Sequence, residues 1–230
     1  MFKNLILWFK SSNAKDNKKT SRKSSIQNAP MKRTINSSRI GELGEHKINI
    51  QLDQLPKDTK YLSDIMIKNP KSRTGFSQID HIIVSPYGLF VIETKNYNGE
   101  IKGGRSDKNW RVNNRFNMFN PLKQNFGHIK ALERVLTEQP DLLYISMVSF
   151  TMRCRFSIDP ELRKIESNEL IVYDTELSEF INRKVNRIKA TSDKALLTDA
   201  EVQNIYEIIQ SSNITDPALR LEHVAKIKKE

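Results

Sequence analysis

Three ionisable side chains interrupt an otherwise apolar pair of segments in the middle of the chain. Residues 75–97 read GFSQIDHIIVSPYGLFVIETKNY. Apolar residues fill both faces of the two segments, which is the pattern of strands in a sheet that is covered on both sides. Asp80, Glu93 and Lys95 lie inside these segments. Because a buried carboxylate is costly unless it is paired or binds a cation, the three residues indicate a site rather than a scaffold.

The register of the two strands decides whether these side chains meet. Glu93 and Lys95 are two residues apart, so they project from the same face of their strand. If Val84 lies opposite Leu89, Asp80 falls opposite Glu93 and the three groups converge. A three-residue connection with a bulge would shift the register by one and send Asp80 to the other face. We predict the first register.

The positive charge of the chain is concentrated at its beginning. The 230 residues carry a net charge of +11. Residues 1–38 hold nine Lys or Arg against one Asp, a net +8, which leaves +3 for the remaining 192 residues. The basic pI therefore does not by itself argue that the folded part binds nucleic acid.

The first residues are predicted to be a basic, disordered tail, residues 1–37. Their apolar run, Leu5 to Phe9, is far shorter than the roughly 20 residues of a membrane span and too short for a signal-peptide core. Residues 1–33 have the composition to contact an anionic membrane surface or a phosphate backbone weakly. A tail that binds nothing in particular is the alternative.

The single cysteine, Cys154, excludes an intramolecular disulfide and a Cys-rich zinc site, and it fits a reducing, cytoplasmic location. Its neighbours Arg153 and Arg155 leave open a thiol of lowered pKa. A buried strand cysteine is the interpretation that we adopt.

The order of elements predicts an α/β fold with a mixed central sheet flanked by helices. A helix begins near residue 39, and three strands follow, at about 60–67 and in the two segments above. A small hairpin over 101–112, a helix from Asn120-Pro121 and a strand over 142–150 come next. This α-β-β-β-α-β core is predicted over 38–150. A strand and helices over 151–212 form a C-terminal helical extension that packs on the core, and 213–230 a flexible, weakly helical tail.

The clustered residues have a specific chemistry. Two carboxylates and a nearby strand carbonyl are the oxygen ligands that Mg²⁺ or Mn²⁺ prefers. A lysine beside them does not bind a metal while protonated, but it stabilises charge on a phosphate or positions an attacking water. The set suits hydrolysis of a phosphodiester bond.

Four sequence motifs together resemble the nuclease-related domain (NERD) family, which looks like a branch of the PD-(D/E)xK nuclease superfamily. They cover roughly residues 38–138 and read Gly44-Glu45, Gln78-Ile79-Asp80-His81-Ile82-Ile83-Val84, Val91-Ile92-Glu93-Thr94-Lys95-Asn96, and Asn120-Pro121-Leu122-Lys123-Gln124-Asn125 through His128. The resemblance implies a restriction-endonuclease-like core.

The resemblance also implies roles for single residues. It makes Asp80 and Glu93 metal ligands, Lys95 the catalytic lysine, Glu45 an additional acidic or water-orienting group, and Gln124 a support for the lysine and the scissile phosphate. One position departs from the family pattern, because Gln78 stands where an acidic residue is often found. The alternative for the cluster is a buried ion network in a domain that has lost activity.

A second group of residues has the composition of a nucleic-acid surface. Trp110 would stack on a base, and the cations around it would contact phosphates. The residues assigned to nucleic-acid binding are Arg105, Lys108, Trp110, Arg111, Arg115 and His128. A hydrophobic anchor for the small hairpin is an equal alternative for Trp110, and His81 and His128 also fit structural hydrogen-bonding roles.

These observations predict a nuclease, in the first place an endonuclease, that depends on Mg²⁺ or Mn²⁺ and acts on DNA rather than RNA. Two alternatives stay open. One is an inactive domain of the same fold that binds nucleic acid, and the other is a membrane-peripheral scaffold that uses the basic N-terminal segment. The sequence also leaves a homodimer open.

Overall fold

A computed structural model describes residues 47–139 and 141–227 of the chain. It is a mixed α/β structure with two mixed sheets. The helices in these ranges are α1 (residues 47–52), α2 (Pro121–Val135), α3 (Leu177–Thr191), α4 (Asp199–Ser211) and α5 (Pro217–Ile227). The strands are β1 (Lys60–Lys68), β2 (Phe76–Ser85), β3 (Gly88–Lys95), β4 (Gly99–Gly103), β5 (Asn109–Val112), β6 (Phe116–Phe119), β7 (Tyr144–Phe150), β8 (Cys154–Ile158) and β9 (Glu169–Tyr173).

The central sheet has five strands in the order β1-β2-β3-β7-β9. The first three are antiparallel neighbours, whereas β7 and β9 run parallel to β3. Val84 pairs with Leu89 and Ser85 pairs with Gly88, so the register that brings position 80 to the level of position 93 is confirmed. The predicted fold class and the order helix, three strands, helix, strand are also confirmed.

Helices cover both faces of this sheet, which explains why its central strands are apolar throughout. One core cluster joins Val91 of β3 to Leu132 of α2 and Ile205 of α4. The other joins Phe90 of β3 to Leu52 of α1, and it includes apolar residues of α3. Alternate residues of β3 therefore face different helices, and the odd-numbered ones, Glu93 and Lys95 among them, lie on the side of α2.

The central strands are distorted at Asp80. The β1–β2 pairing runs from Ser63 opposite His81 to Ile65 opposite Ile79 and leaves out positions 64 and 80. Asp64 adopts a positive φ of 54°, which is uncommon for a non-glycine residue. On either side of the break, Ile79 and Ile82 belong to the same core cluster, although three residues of regular strand would place them on opposite faces. The chain is thus locally twisted at the position of the predicted site.

The predicted small hairpin is part of a second sheet with the order β6-β5-β4-β8. Its inner face packs on the ends of β7 and β9, and Trp110 is fully buried there, with its indole N–H donating to the carbonyl of Gly104 at 2.9 Å. β8 pairs with β4 in parallel and carries the buried Cys154. Burial raises the pKa of this thiol to about 11, so the interpretation as a buried strand cysteine is confirmed.

Residues after 150 contribute more than a helical extension. β8 and β9 complete the two sheets, and α5 spans 11 residues where a flexible tail was predicted. Arg220 of α5 donates to both the carboxylate and the carbonyl oxygen of Asp64, and His223 lies 2.9 Å from the hydroxyl of Thr74. For residues 213–227 the predicted flexible tail is therefore wrong, because polar side chains on a short, weakly amphipathic helix dock it against β1 and the following turn.

The basic segment of residues 1–37, Gly44 and Glu45 lie outside the described residues. No helix within 47–139 or 141–227 is both long and apolar enough to cross a membrane.

The burial of Trp110 generates a test of the fold. We expect Trp110→Ala to lower the free energy of unfolding by about 3–5 kcal/mol, because it leaves a large cavity under the second sheet. Phe119→Ala, on the exposed face of the same sheet, should change it by less than about 0.5 kcal/mol. Urea denaturation measures both, and equal effects would contradict the structure.

Candidate active site

Glu93 and Lys95 form a buried ion pair at the end of β3. The Nζ atom of Lys95 lies 2.6 Å from Oε1 of Glu93, and the two side chains are 9% and 6% exposed. Strand alternation places both side chains on the face that α2 covers. A pair of this kind is stable only with good geometry and further hydrogen bonds, because both charges have left water.

Helix α2 supplies those further hydrogen bonds. Gln124 accepts from Nζ of Lys95 at 2.9 Å and donates from Nε2 to Oε1 of Glu93 at 2.7 Å. One amide thus contacts both the lysine and the carboxylate. His128, one turn later, is 8% exposed, and its Nε2 lies 3.3 Å from Oε2 of Glu93 without hydrogen-bond alignment. It lies inside the site rather than on a surface that nucleic acid could reach directly.

The position of α2 is set by two asparagines. Asn120 caps the helix by accepting from the backbone N–H of Leu122 at 2.9 Å, and Pro121 follows as the first helical residue. Asn125 is fully buried, and its Nδ2 donates to the carbonyl of Val91 and to the hydroxyl of Ser146, both at 2.8 Å. These bonds fasten α2 to β3 and β7 one residue away from Gln124.

Asp80 lies in the distorted region of β2. Its Oδ2 accepts hydrogen bonds from the backbone N–H of Thr94 at 2.7 Å and from the Thr94 hydroxyl at 2.6 Å. The carboxylate therefore takes a β3 donor that a regular ladder would give to a β2 carbonyl. It is close enough to Glu93 and Lys95 for their charges to change its pKa.

The pKa values of the two acids diverge. Burial and the negative charge of Glu93 raise the pKa of Asp80 to about 7, although the bonds from Thr94 oppose the shift. Burial alone would also raise the pKa of Glu93, but the Lys95 and His128 charges outweigh it and lower the pKa to about 2. For Lys95 the Glu93 charge outweighs burial and keeps its pKa raised, so it is protonated at neutral pH.

The donors at this site fit a hard cation in chemical type. Asp80 and Glu93 offer carboxylate oxygens whose negative charges repel each other, and a divalent cation would relieve that repulsion. Oε2 of Glu93 accepts no hydrogen bond from the described residues. Within 47–139 and 141–227, no group of three or more His, Cys, Asp or Glu side chains is arranged to hold a metal ion. The third acid that the resemblance implied, Glu45, lies outside these ranges.

Gln78, the departure from the family pattern, has a partner of its own. Its Nε2 donates to Oδ1 of Asp64 at 2.7 Å. Asp64 in turn forms an ion pair with Arg220 at 2.8 Å. An acidic residue at position 78 would face this carboxylate, whereas the glutamine amide binds it. The network holds the strand at the distorted position next to Asp80.

Of the six residues predicted to bind nucleic acid, His128 lies at the charged cluster, whereas the other five lie in and beside the second sheet. The expectation that Trp110 stacks on a base is wrong, because its side chain is fully buried and anchors the hairpin. Arg105 forms an ion pair with Glu169 at 2.7 Å. Lys108, Arg111 and Arg115 are exposed, and their role in binding stays a prediction.

Sequence reasoning included Thr94 and Asn125 in the motifs but assigned no role to either. Neither residue type signals catalysis, but their positions carry some information. Thr94 lies between the two charged residues of β3, and Asn125 follows Gln124 on a helix face that the apolar pattern assigns to the core. A buried amide in that place requires partners. His81, in contrast, was predicted as a structural hydrogen-bonder, and its Nδ1 lies 2.9 Å from the hydroxyl of Ser63.

One protein family and one known protein match the chain. The model of the nuclease-related domain family matches residues 40–151. An uncharacterised protein of Bacillus anthracis is 31% identical over 188 residues, which is 80% of this chain and 82% of that protein. No solved structure matches significantly.

The raised pKa of Asp80 predicts a pH-dependent stability. From about pH 4 to pH 7 the native state keeps a proton that the unfolded chain has released, so stability falls as the pH rises. We expect the wild type to lose about 2 kcal/mol between pH 5 and pH 7 relative to Asp80→Asn, which does not titrate. Urea denaturation at several pH values with a chelator present measures this difference. Parallel curves for the two proteins would contradict the assignment.

Proposed function

Because the chain belongs to the nuclease-related domain (NERD) family, we propose that it is a divalent-metal-dependent nuclease that hydrolyses phosphodiester bonds in DNA. The observation that carries the proposal is the buried ion pair of Glu93 and Lys95, with Gln124 hydrogen-bonded to both. A pair of charges costs free energy to bury, and a purely structural core would be at least as stable with apolar residues in their place.

Asp80 and Glu93 are the residues that would hold Mg²⁺ or Mn²⁺. Their donors are oxygen atoms only, which suits these ions better than zinc. A bound divalent ion would lower the pKa of a water ligand and neutralise charge on the phosphate. Glu45 would add a third carboxylate from the N-terminal side.

Lys95 would supply the second positive charge. Its raised pKa keeps it protonated at neutral pH, so it would donate hydrogen bonds to a non-bridging phosphate oxygen or to the attacking water. Its partner Glu93 holds the ammonium group in place before substrate binds. The site is therefore preorganised, which lowers the cost of reaching the transition state.

Gln124 and His128 would act as positioning residues. Gln124 touches both members of the ion pair, so it sets the distance between lysine and carboxylate. His128 lies next to Oε2 of Glu93, and it would orient this oxygen toward the cation. Since both project from α2, the bonds made by Asn120 and Asn125 control the geometry of the site indirectly.

A second candidate function has an observation in its favour. Glu93 is already neutralised by Lys95, and the described residues hold no group of three metal-binding side chains. These two observations favour a domain that has lost cleavage, and binding of nucleic acid without cutting is the function that such a domain would keep. Salt-sensitive binding without cleavage in the presence of Mg²⁺ or Mn²⁺ would favour this candidate.

The proposal is tested with purified full-length protein and plasmid or oligonucleotide DNA. We expect cleavage that requires Mg²⁺ or Mn²⁺ and is lost with a chelator. Asp80→Asn and Lys95→Met should each lower the cleavage rate by about 10² or more, because each removes a charge from the reacting centre. Lys130→Gln changes a partly exposed side chain on α2, the helix that carries Gln124, and this control should retain the wild-type rate.

Two readouts guard this experiment against misinterpretation. Thermal unfolding shows whether each variant is folded, and calorimetric titration with Mn²⁺ measures metal binding apart from cleavage. Equal activity in the wild type, Asp80→Asn and Lys95→Met would rule out this site as the source of the activity.

A further inference from the structure

A like-charge pair lies exposed on the outer face of the second sheet. Lys102 of β4 and Arg111 of β5 are directly opposite each other in the antiparallel ladder. Both are exposed, and neither has an ion-pair partner in the part of the chain that the structure describes. Like charges directly opposite each other destabilise a sheet. The pair therefore destabilises the sheet locally, and a bound anion would relieve the repulsion between the two cations.

The same two cations line an open groove of about 310 Å³. Its other lining residues are Gly103, Asp107, Asn109 and Asn114. The one acid among them, Asp107, already accepts a hydrogen bond from the backbone N–H of Gly104 at 2.8 Å. The amides of Asn109 and Asn114 add neutral hydrogen-bonding groups. A groove with two cations and two amides has the chemistry of a phosphate site.

Lys102 and Arg111 belong to a row of polar residues that crosses the whole second sheet. Asn117 of β6 pairs with Arg111, and Ser157 of β8 pairs with Lys102. Asn117, Arg111, Lys102 and Ser157 thus form one row over all four strands, and all four are exposed. A second row holds the oppositely charged neighbours Glu100 and Arg155. The row through the groove has no acidic member.

An exposed aromatic ring lies next to this row. Phe119 ends β6, is 50% exposed, and pairs with the groove residue Asn109. Its neighbour Met118 is buried on the inner face, so strand alternation places the ring on the outer face. A ring beside a cationic groove is the combination that binds single strands, because the bases stack while the phosphates meet the cations.

We propose that the outer face of the second sheet binds a single-stranded segment of DNA, with Lys102 and Arg111 on the phosphates and Phe119 stacked on a base. This inference rests on the proposed function, since it assigns to the nuclease a substrate contact outside the reacting centre. Phe119, and not the buried Trp110, is thus the residue that would stack on a base.

Asn120 is one of the residues that connect the binding face to the reacting centre. Asn120 follows Phe119 and caps the helix that carries Gln124. Its Nδ2 also donates to the carbonyl oxygens of Arg105 and Asp107, at 3.2 and 2.7 Å, in the loop beside the groove. A strand bound on the outer face would thus lie against the same segment that positions α2.

The test measures binding of a short fluorescent DNA single strand in the presence of a chelator, which prevents cleavage. We expect the double variant Lys102→Gln/Arg111→Gln to bind about tenfold or more weakly at low salt. For this variant, the slope of log affinity against log salt concentration should be shallower by about 1.4, the value expected for the loss of two phosphate contacts on a single strand. The melting temperature should be unchanged or higher, because the like-charge pair is gone.

A matched control removes the same charge elsewhere. Lys68→Gln/Lys71→Gln changes two exposed lysines, at the end of β1 and in the turn that follows it, and it should leave the salt slope near the wild-type value. Equal losses for the two double variants would overturn the proposal, since they would indicate a diffuse charge effect. Each single variant, Lys102→Gln and Arg111→Gln, provides a smaller change if the double variant does not fold.

The aromatic contact has its own variant. Phe119→Ala should weaken single-strand binding by about fivefold or more without changing the salt slope, because stacking involves no counterion release. A duplex of the same sequence should be affected much less, because its bases are already stacked. An equal loss for duplex and single strand, or tighter binding of an RNA strand of the same sequence, would overturn the assignment to single-stranded DNA.

The two proposals fail in different ways. If the Lys102 and Arg111 variants bind like the wild type while metal-dependent cleavage persists, the binding face is wrong and the nuclease stands. If the variants lose binding but the wild type never cleaves DNA, the proposed binding face is supported and the proposed nuclease activity is wrong.

Discussion

The ion pair between Glu93 and Lys95 is the interaction on which the rest of the structure depends. Two charges inside a covered sheet are tolerated only when their geometry is good and further hydrogen bonds support them. That requirement explains why α2 presents an amide at position 124, in contact with both groups. It also explains why α2 must be held rigidly, since a small displacement would leave a buried charge without its hydrogen bond.

The constraint extends outward from α2 in two directions. Toward the central sheet, Asn125 binds a carbonyl of β3 and a hydroxyl of β7. Toward the second sheet, Asn120 caps the helix and also holds the loop beside the outer groove. Hydrogen bonds from two residues at the start of α2, Asn120 and Lys123, therefore connect the second sheet to the helix of the site. This link gives the exposed hairpin a structural relation to the chemistry, although none of its side chains belongs to the charged cluster.

Asp80 shows how a local irregularity can be part of a site. The ladder between β1 and β2 is interrupted at Asp64 and Asp80, and the Asp80 carboxylate takes the Thr94 backbone N–H. Arg220 of α5 and Gln78 hold Asp64 at the same level. The C-terminal helix thus stabilises a distortion that regular strand geometry would not maintain. The resemblance implies that an acidic residue is often found at position 78, whereas here the neutral amide of Gln78 donates to Asp64.

Much of the fold was predictable because local patterns carry it. The length of the turn after Ser85 determined the register, and Asn120-Pro121 indicated the start of α2. The two strands were recognisable from apolar runs that only a doubly covered sheet requires. The failures have physical reasons as well. Trp110, with cations around it in the sequence, looks like a residue that stacks on a base. Its burial, however, depends on β8 and β9, which lie far from it in the sequence. The docking of α5 depends on Asp64, more than 150 residues away, so no local signal announces it.

The sequence by itself determined the residues of the charged cluster and the strand spacing that places Glu93 and Lys95 on one face, because side-chain alternation and turn length are local properties. Only the tertiary structure decided that Gln124 touches both charges and that Asp80 turns toward Thr94. It also decided that the exposed cations and Phe119 share a face of a second sheet. These outcomes depend on hydrogen bonds and packing between segments far apart in the chain, and no window of sequence contains both partners.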